Sequence, residues 1–148
     1  MRIFSVGHSS REIVEFISLL KTYGIKTLVD VRSYPKSSRF PHFSRENLEK
    51  ALEEAGITYF HLPELGGMRK EGYLGYMNKE GFKRGLERLM ELSGGGKTAF
   101  MCAEKNWREC HRRFIAEALV KEGFEVLHII DNKRLEEHPK SLFMTQTE

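Results

Sequence analysis

The segment Thr98-Ala99-Phe100-Met101-Cys102-Ala103-Glu104-Lys105-Asn106-Trp107-Arg108-Glu109-Cys110-His111-Arg112-Arg113-Phe114-Ile115-Ala116-Glu117-Ala118-Leu119 decides the fold. Thr98 to Cys102 is an uncharged run that reads as a buried strand. Phe114, Ile115, Ala118 and Leu119 recur at the spacing of one helix face. Between strand and helix lie both cysteines of the chain, with Glu104, His111 and three arginines. Reactive side chains therefore gather where a strand hands over to a helix, the end at which open α/β sheets bind ligands.

The same alternation extends in both directions. Arg2 to Val6, Thr27 to Val31, Ile57 to Leu62 and Glu125 to Ile130 read as four further strands. Ser9-Ser10-Arg11-Glu12 has the form of a capping box ahead of Ile13, Phe16, Ile17 and Leu20. Ser44 is placed to cap a helix carrying Leu48, Ala51, Leu52 and Ala55. Asn78 can cap one carrying Phe82, Leu86, Leu89 and Met90, and Asn106 one carrying Phe114 to Leu119. Gly24, Gly56, Gly94 to Gly96 and Gly123 close the helices. Strands alternating with helices imply right-handed crossovers. The expected fold is α/β: a single three-layer Rossmann-like domain, a mostly parallel sheet of about five strands with helices on both faces. The domain is expected to span 1–131. Residues 132–148 read as a polar C-terminal tail, with Leu142 and Phe143 lending it partial order.

The chain has 148 residues and a formal net charge of +3. That charge is too small to indicate nucleic acid by itself. No apolar run approaches the roughly 20 residues that span a bilayer, so no membrane partner is expected. Met1 to Gly7 reads as a strand rather than a signal peptide. A cytoplasmic location is expected, and in that compartment two cysteines favour thiols over a structural disulfide.

The connections are unequal in length. Helix-to-strand turns are tight, whereas Gly7-His8-Ser9, Arg32 to Phe43, Pro63 to Met77 and Ala103 to Lys105 are richer in reactive groups. All lie at the carboxyl edge of the expected sheet. His8, Asp30, Arg32, His61, Cys102, Glu104 and Arg112 are therefore expected to surround one cleft.

The candidate catalytic residues are Glu104, Cys102, Asp30 and His111. Glu104 lies just past a strand tip, where partial burial suits general acid–base or nucleophilic work; a salt bridge to Arg32 or Arg112 is the structural alternative. Cys102 reads either as a core hydrophobe or as a reactive thiolate. His111 shares the sheet-facing stripe of Phe114 and Ile115. The candidate ligand-binding residues are His8, Ser9, Arg32, His61, Gly66, Gly67 and Arg112, with helix starts after Ser9 and Asn106 favouring an anion. Cys102 and Arg108 have the C-x5-R spacing of cysteine phosphatases, but the intervening loop lacks glycine and contains Glu104. Cys102, Cys110, His111 and His61 match no usual zinc spacing, and no metal is expected. No pattern names a cofactor, and the oligomeric state is not legible.

Several of these segments together resemble the family catalogued as domain of unknown function 488. They are Val6-Gly7-His8-Ser9, Asp30-Val31-Arg32-Ser33-Tyr34-Pro35, Tyr59-Phe60-His61-Leu62-Pro63-Glu64-Leu65-Gly66-Gly67, and Met101-Cys102-Ala103-Glu104 followed by Cys110-His111-Arg112. The resemblance implies the α/β fold and carries no established activity. It departs at Trp107, where the family pattern often has a proline and where the lip of the site is expected to change.

The residues leave three functions open. The leading expectation is a small enzyme, a hydrolase or transferase, acting on a phosphorylated ligand, a nucleotide or nucleic-acid component. The alternatives are a non-catalytic nucleotide- or nucleic-acid-binding module and a thiol or metal site using Cys102, Cys110 and His111.

Overall fold

Runs such as Thr27 to Asp30 and Thr98 to Cys102, buried on both faces, can satisfy their backbone only in the interior of a sheet. The computed structural model describes residues 1–140. It forms one six-stranded sheet in the order β3-β2-β4-β1-β5-β6. The strands are β1 (Arg2–Gly7), β2 (Thr27–Asp30), β3 (Thr58–His61), β4 (Thr98–Cys102), β5 (Glu125–Asp131) and β6 (Arg134–Glu137). The first five are parallel, and β6 runs antiparallel to β5. The helices are α1 (Ile13–Thr22), α2 (Arg45–Glu54), α3 (Gly72–Tyr76), α4 (Glu80–Ser93) and α5 (Arg112–Lys121). This is the expected Rossmann-like α/β architecture.

Side-chain alternation divides the core in two. Phe4, Val6, Leu28, Ala99 and Met101 pack with Phe16 and Leu20 of α1 and Leu48 and Leu52 of α2. Ile3, Val29, Phe100 and Cys102 face the opposite way, onto Leu89 of α4 and Ile115 and Leu119 of α5. The chain leaves β1 toward β2 through α1 and leaves β4 toward β5 through α5, in opposite directions across the sheet. The neighbouring tips of β1 and β4 therefore part at a topological switch point, which leaves a crevice.

Four local expectations are corrected. α1 starts at Ile13 without a side-chain cap, because Ser9 adopts φ 52° and its N–H goes to the Ala103 carbonyl across the crevice. Ser44 stands at the N-cap of α2, but its hydroxyl accepts the Ser37 N–H at 3.0 Å and ties down the preceding loop instead. Asn78 caps nothing: α4 begins at Glu80 after Lys79, and the short α3 occupies the loop before it. Asn106 accepts the Arg108 N–H at 3.0 Å and closes a single 3-10 turn, Trp107–Glu109, so α5 starts only at Arg112.

The sheet gains a sixth strand from the start of the presumed tail. Arg134-Leu135-Glu136-Glu137 alternates too weakly to read as a strand, yet it pairs with the exposed edge of β5. Leu142 and Phe143 lie outside the described residues. Among the described residues no helix is long and apolar enough to cross a membrane.

Candidate active site

The cleft lies over the tips of β1, β2 and β4 and has a volume of about 920 Å³. His8 and Ser9 follow β1, Arg32 follows β2, Cys102 ends β4 and Glu104 lies two residues beyond it. Gly67 and His111 complete the set of expected residues on its walls. Arg32, Lys36, Arg39 and Lys105 bring positive charge to the lining, against Glu104 and Glu109. Asp30, His61, Gly66 and Arg112 are not on the walls and act from behind them.

Asp30 is fully buried and its carboxylate is saturated. Oδ1 accepts the Arg32 Nε–H at 2.9 Å and the Arg32 backbone N–H at 3.1 Å. Oδ2 accepts from Arg32 Nη2 and from the Tyr59 hydroxyl, each at 2.6 Å. This bidentate pair fixes Arg32 as a rigid cation at the cleft wall, and burial with the Asp30 charge drives the Tyr59 hydroxyl pKa upward. His61 Nε2–H donates to the Arg32 carbonyl at 2.8 Å, so it positions the same arginine from the backbone side. His8 donates from Nδ1 to the Ser9 carbonyl at 2.9 Å and stacks on Phe43 at 4.2 Å. Burial pushes its pKa down to about 4, and its neutral Nε2 faces Arg32 Nη1 at 3.5 Å.

The opposite wall holds the thiols. Cys102 Sγ and Cys110 Sγ are 2.6 Å apart, and both cysteines are free. Arg112 lies beneath them, 1% exposed. Its Nε–H donates to Cys102 Sγ at 2.9 Å, Nη1 to Ser5 Oγ at 2.9 Å and Nη2 to the Glu104 carbonyl at 2.7 Å. No carboxylate is among these partners. The pair loses its first proton readily. Cys110 is pushed down to about 4 by the hydrogen bond from Cys102, against burial, with help from His111 and Arg112. Burial, and the charge already on its neighbour, push Cys102 well up. The two sulfurs thus share one proton and one negative charge, and that charge faces the guanidinium.

His111 borders the same pair. Its Nε2–H donates to the Val31 carbonyl at 2.9 Å, and its Nδ1 faces Cys110 Sγ at 3.5 Å. Gly67 is required beside it, because a Cβ there would lie 2.7 Å from His111 Nδ1. Gly66 likewise admits no side chain, since its Cβ would run into the Ser33 backbone. Glu104 is exposed at the rim, and its carboxylate accepts no hydrogen bond among the described residues.

Behind Arg112 runs a buried polar chain that the sequence did not disclose. Ser5 donates to His128 Nδ1 at 2.5 Å, His128 Nε2–H to His138 Nδ1 at 3.0 Å, and His138 Nε2–H to Glu117 Oε2 at 3.0 Å. A carboxylate only accepts and a neutral imidazole offers one donor and one acceptor, so with both rings neutral the Glu117 end sets the direction of the bonds through to Ser5. The available signal was a serine inside β1 and a histidine inside β5, both uncommon in buried strands. They are paired partners in the register. Cys110 was a second omission from the candidate catalytic set, although the Cys110-His111-Arg112 run pointed to it.

The phosphate-loop reading stays rejected, and the expectation at Trp107 is corrected. Arg108 turns away from the cleft to Glu136 at 2.7 Å and stacks on Trp107, so the C-x5-R spacing builds no phosphate loop. Trp107 is buried flat against His128 at 4.0 Å and does not shape the lip. Among the described residues no group of three or more histidines, cysteines or acids is arranged to hold a metal ion.

Fold and site together define a single-sheet, Rossmann-like α/β protein with a thiol-bearing cleft at the switch point of its sheet. The chain belongs to the family described as Domain of unknown function DUF488, whose model matches residues 12–119. No curated protein and no solved structure gives a significant match.

Proposed function

We propose that this protein is a thiol-dependent enzyme acting on a small phosphate-bearing ligand, of the nucleotide class, with the Cys102–Cys110 pair as its nucleophile. The observation that carries the reading is the buried Arg112, which has no carboxylate partner among the described residues and donates to Cys102 Sγ. An isolated buried cation costs several kcal/mol, and among the described residues the only counter-charge within its contacts is the thiolate shared by the two sulfurs. A thiolate held at neutral pH is the reactive form of cysteine. Cys110 is the outer member of the pair, and His111 Nδ1 stands 3.5 Å from it, placed to exchange a proton with the sulfur.

The ligand assignment rests on the facing wall. Arg32 is held rigid by Asp30 through Nε and Nη2, which leaves Nη1 without a carboxylate partner among the described residues, and Lys36, Arg39 and Lys105 add cations around it. Tyr34, 70% exposed at the same wall, offers a face on which a base can stack. Glu104 meets the ligand at the rim in this reading, and the bond-making step belongs to the thiols.

Nucleotides and short oligonucleotides, titrated at low salt with turnover followed for any that bind, provide the test. Cys110→Ser should abolish turnover and retain binding, whereas Arg32→Ala should weaken binding. Full turnover by Cys110→Ser would remove the thiol from the mechanism. Binding without turnover of any bound compound would favour the non-catalytic module.

A further inference from the structure

We propose that Cys110 and Cys102 also form a hydroperoxide-reactive dithiol, in which Cys110 takes the oxidising oxygen and Cys102 closes an internal disulfide. This rests on the reading of Cys110 as the outer nucleophile. The sulfurs already stand 2.6 Å apart, close to the length of about 2.05 Å of the bond itself. Their surroundings are unequal. Cys102 is the last residue of β4, 2% exposed and held by Arg112, whereas Cys110 follows the 3-10 turn and is 7% exposed at the cleft wall. The residues joining them, Ala103 to Glu109, are mostly exposed, so forming the bond asks for movement of a short surface loop and not of the sheet.

The chemistry balances with a hydroperoxide as the oxidant. The Cys110 thiolate attacks one peroxide oxygen, the O–O bond breaks, and the sulfur becomes a sulfenic acid while hydroxide departs. The Cys102 sulfur then attacks the sulfenic sulfur, and the S–O bond breaks as the S–S bond forms. The Cys102 proton leaves with the displaced hydroxide as water. Two thiol sulfurs are oxidised by two electrons in total, and one peroxide is reduced to water and hydroxide. Cys102 is the resolving thiol because no second molecule can bring a sulfur as close. A small dithiol restores the pair by exchange. In the disulfide the charge opposite Arg112 is gone, so oxidation also silences the nucleophile.

The experiment treats the reduced full chain with one equivalent of hydrogen peroxide near neutral pH, with peptide mapping and iodoacetamide labelling in parallel. The expected result is a Cys102–Cys110 disulfide, formed about tenfold or more faster than an ordinary exposed cysteine is oxidised and reversed by dithiothreitol. Cys102→Ala should stop at a Cys110 sulfenic acid that dimedone traps. Mapping of the unmodified chain decides the question even if that variant does not fold. If iodoacetamide labels Cys110 rapidly but peroxide leaves two thiols or overoxidises Cys110 alone, the dithiol inference is overturned and the nucleophile reading stands. If Cys110 resists both reagents, both are overturned.

Discussion

At the scale of single residues, the site depends on one cation. Arg112 occupies the place where an apolar side chain would ordinarily fill the space between α5 and the sheet, and every one of its named contacts is a sulfur, a hydroxyl or a carbonyl. An opposite charge at this range typically shifts a partner's pKa by about 1–3 units. Arg112→Met keeps the volume and removes the charge. It should raise the pKa of the thiol pair by that amount and slow alkylation of Cys110, measured near pH 4 where the unmodified pair is half ionised, by about fivefold or more. Unchanged alkylation would show that the thiolate owes nothing to Arg112. Ser5→Ala tests the support behind it. The change strips a buried acceptor from Arg112 and a donor from His128, and should cost about 1–3 kcal/mol in chemical denaturation.

At the scale of elements, the cleft is assembled where loops pass close to helices. The Gly66–Gly67 segment slides past Ser33 and against the ring of His111 at the start of α5. Gly67→Ala would push a methyl into that ring, so it should lower stability by about 1–3 kcal/mol. It should also slow Cys110 alkylation, because His111 loses its place between Val31 and the thiol. A normal rate with normal stability would mean the loop can yield freely. The elements also mark how far sequence could be read. Hydrophobic period and glycine punctuation place all five parallel strands, because buried runs such as Thr98 to Cys102 have no other stable home. Helix starts were misplaced because the capping residues serve the site: Ser9 crosses to Ala103, Ser44 holds Ser37, and Asn106 closes its own turn. β6 escaped because an edge strand of charged residues lacks the pattern of burial. At the site, His8, Arg32, Cys102, Glu104 and His111 were legible from topology alone. The pairing of the two sulfurs, and the arginine beneath them without a carboxylate among the described residues, depended on side-chain geometry that spacing does not encode.

At the scale of the whole molecule, two neutral histidines sit in the interior. Burial holds His8 at about 4 and His128 at about 2, both below the ordinary 6.5. Below pH 6.5 the unfolded chain therefore binds protons that the folded chain refuses. Stability is complete above that value and falls as the pH drops toward 4, by roughly 1.4 kcal/mol per pH unit for each histidine. Denaturant midpoints should accordingly be lower at about pH 5 than at about pH 7, with an unchanged slope against denaturant. Equal midpoints would contradict the buried neutral state. The same molecule must also carry one negative charge on its thiols across that range. Titration of the ultraviolet thiolate absorbance, comparing the unmodified chain with Cys110→Ser, measures that charge directly. The account predicts one thiolate per chain persisting down to about pH 4 and lost in the variant. Absorbance that appears only near the ordinary thiol pKa of about 8.5 would contradict it.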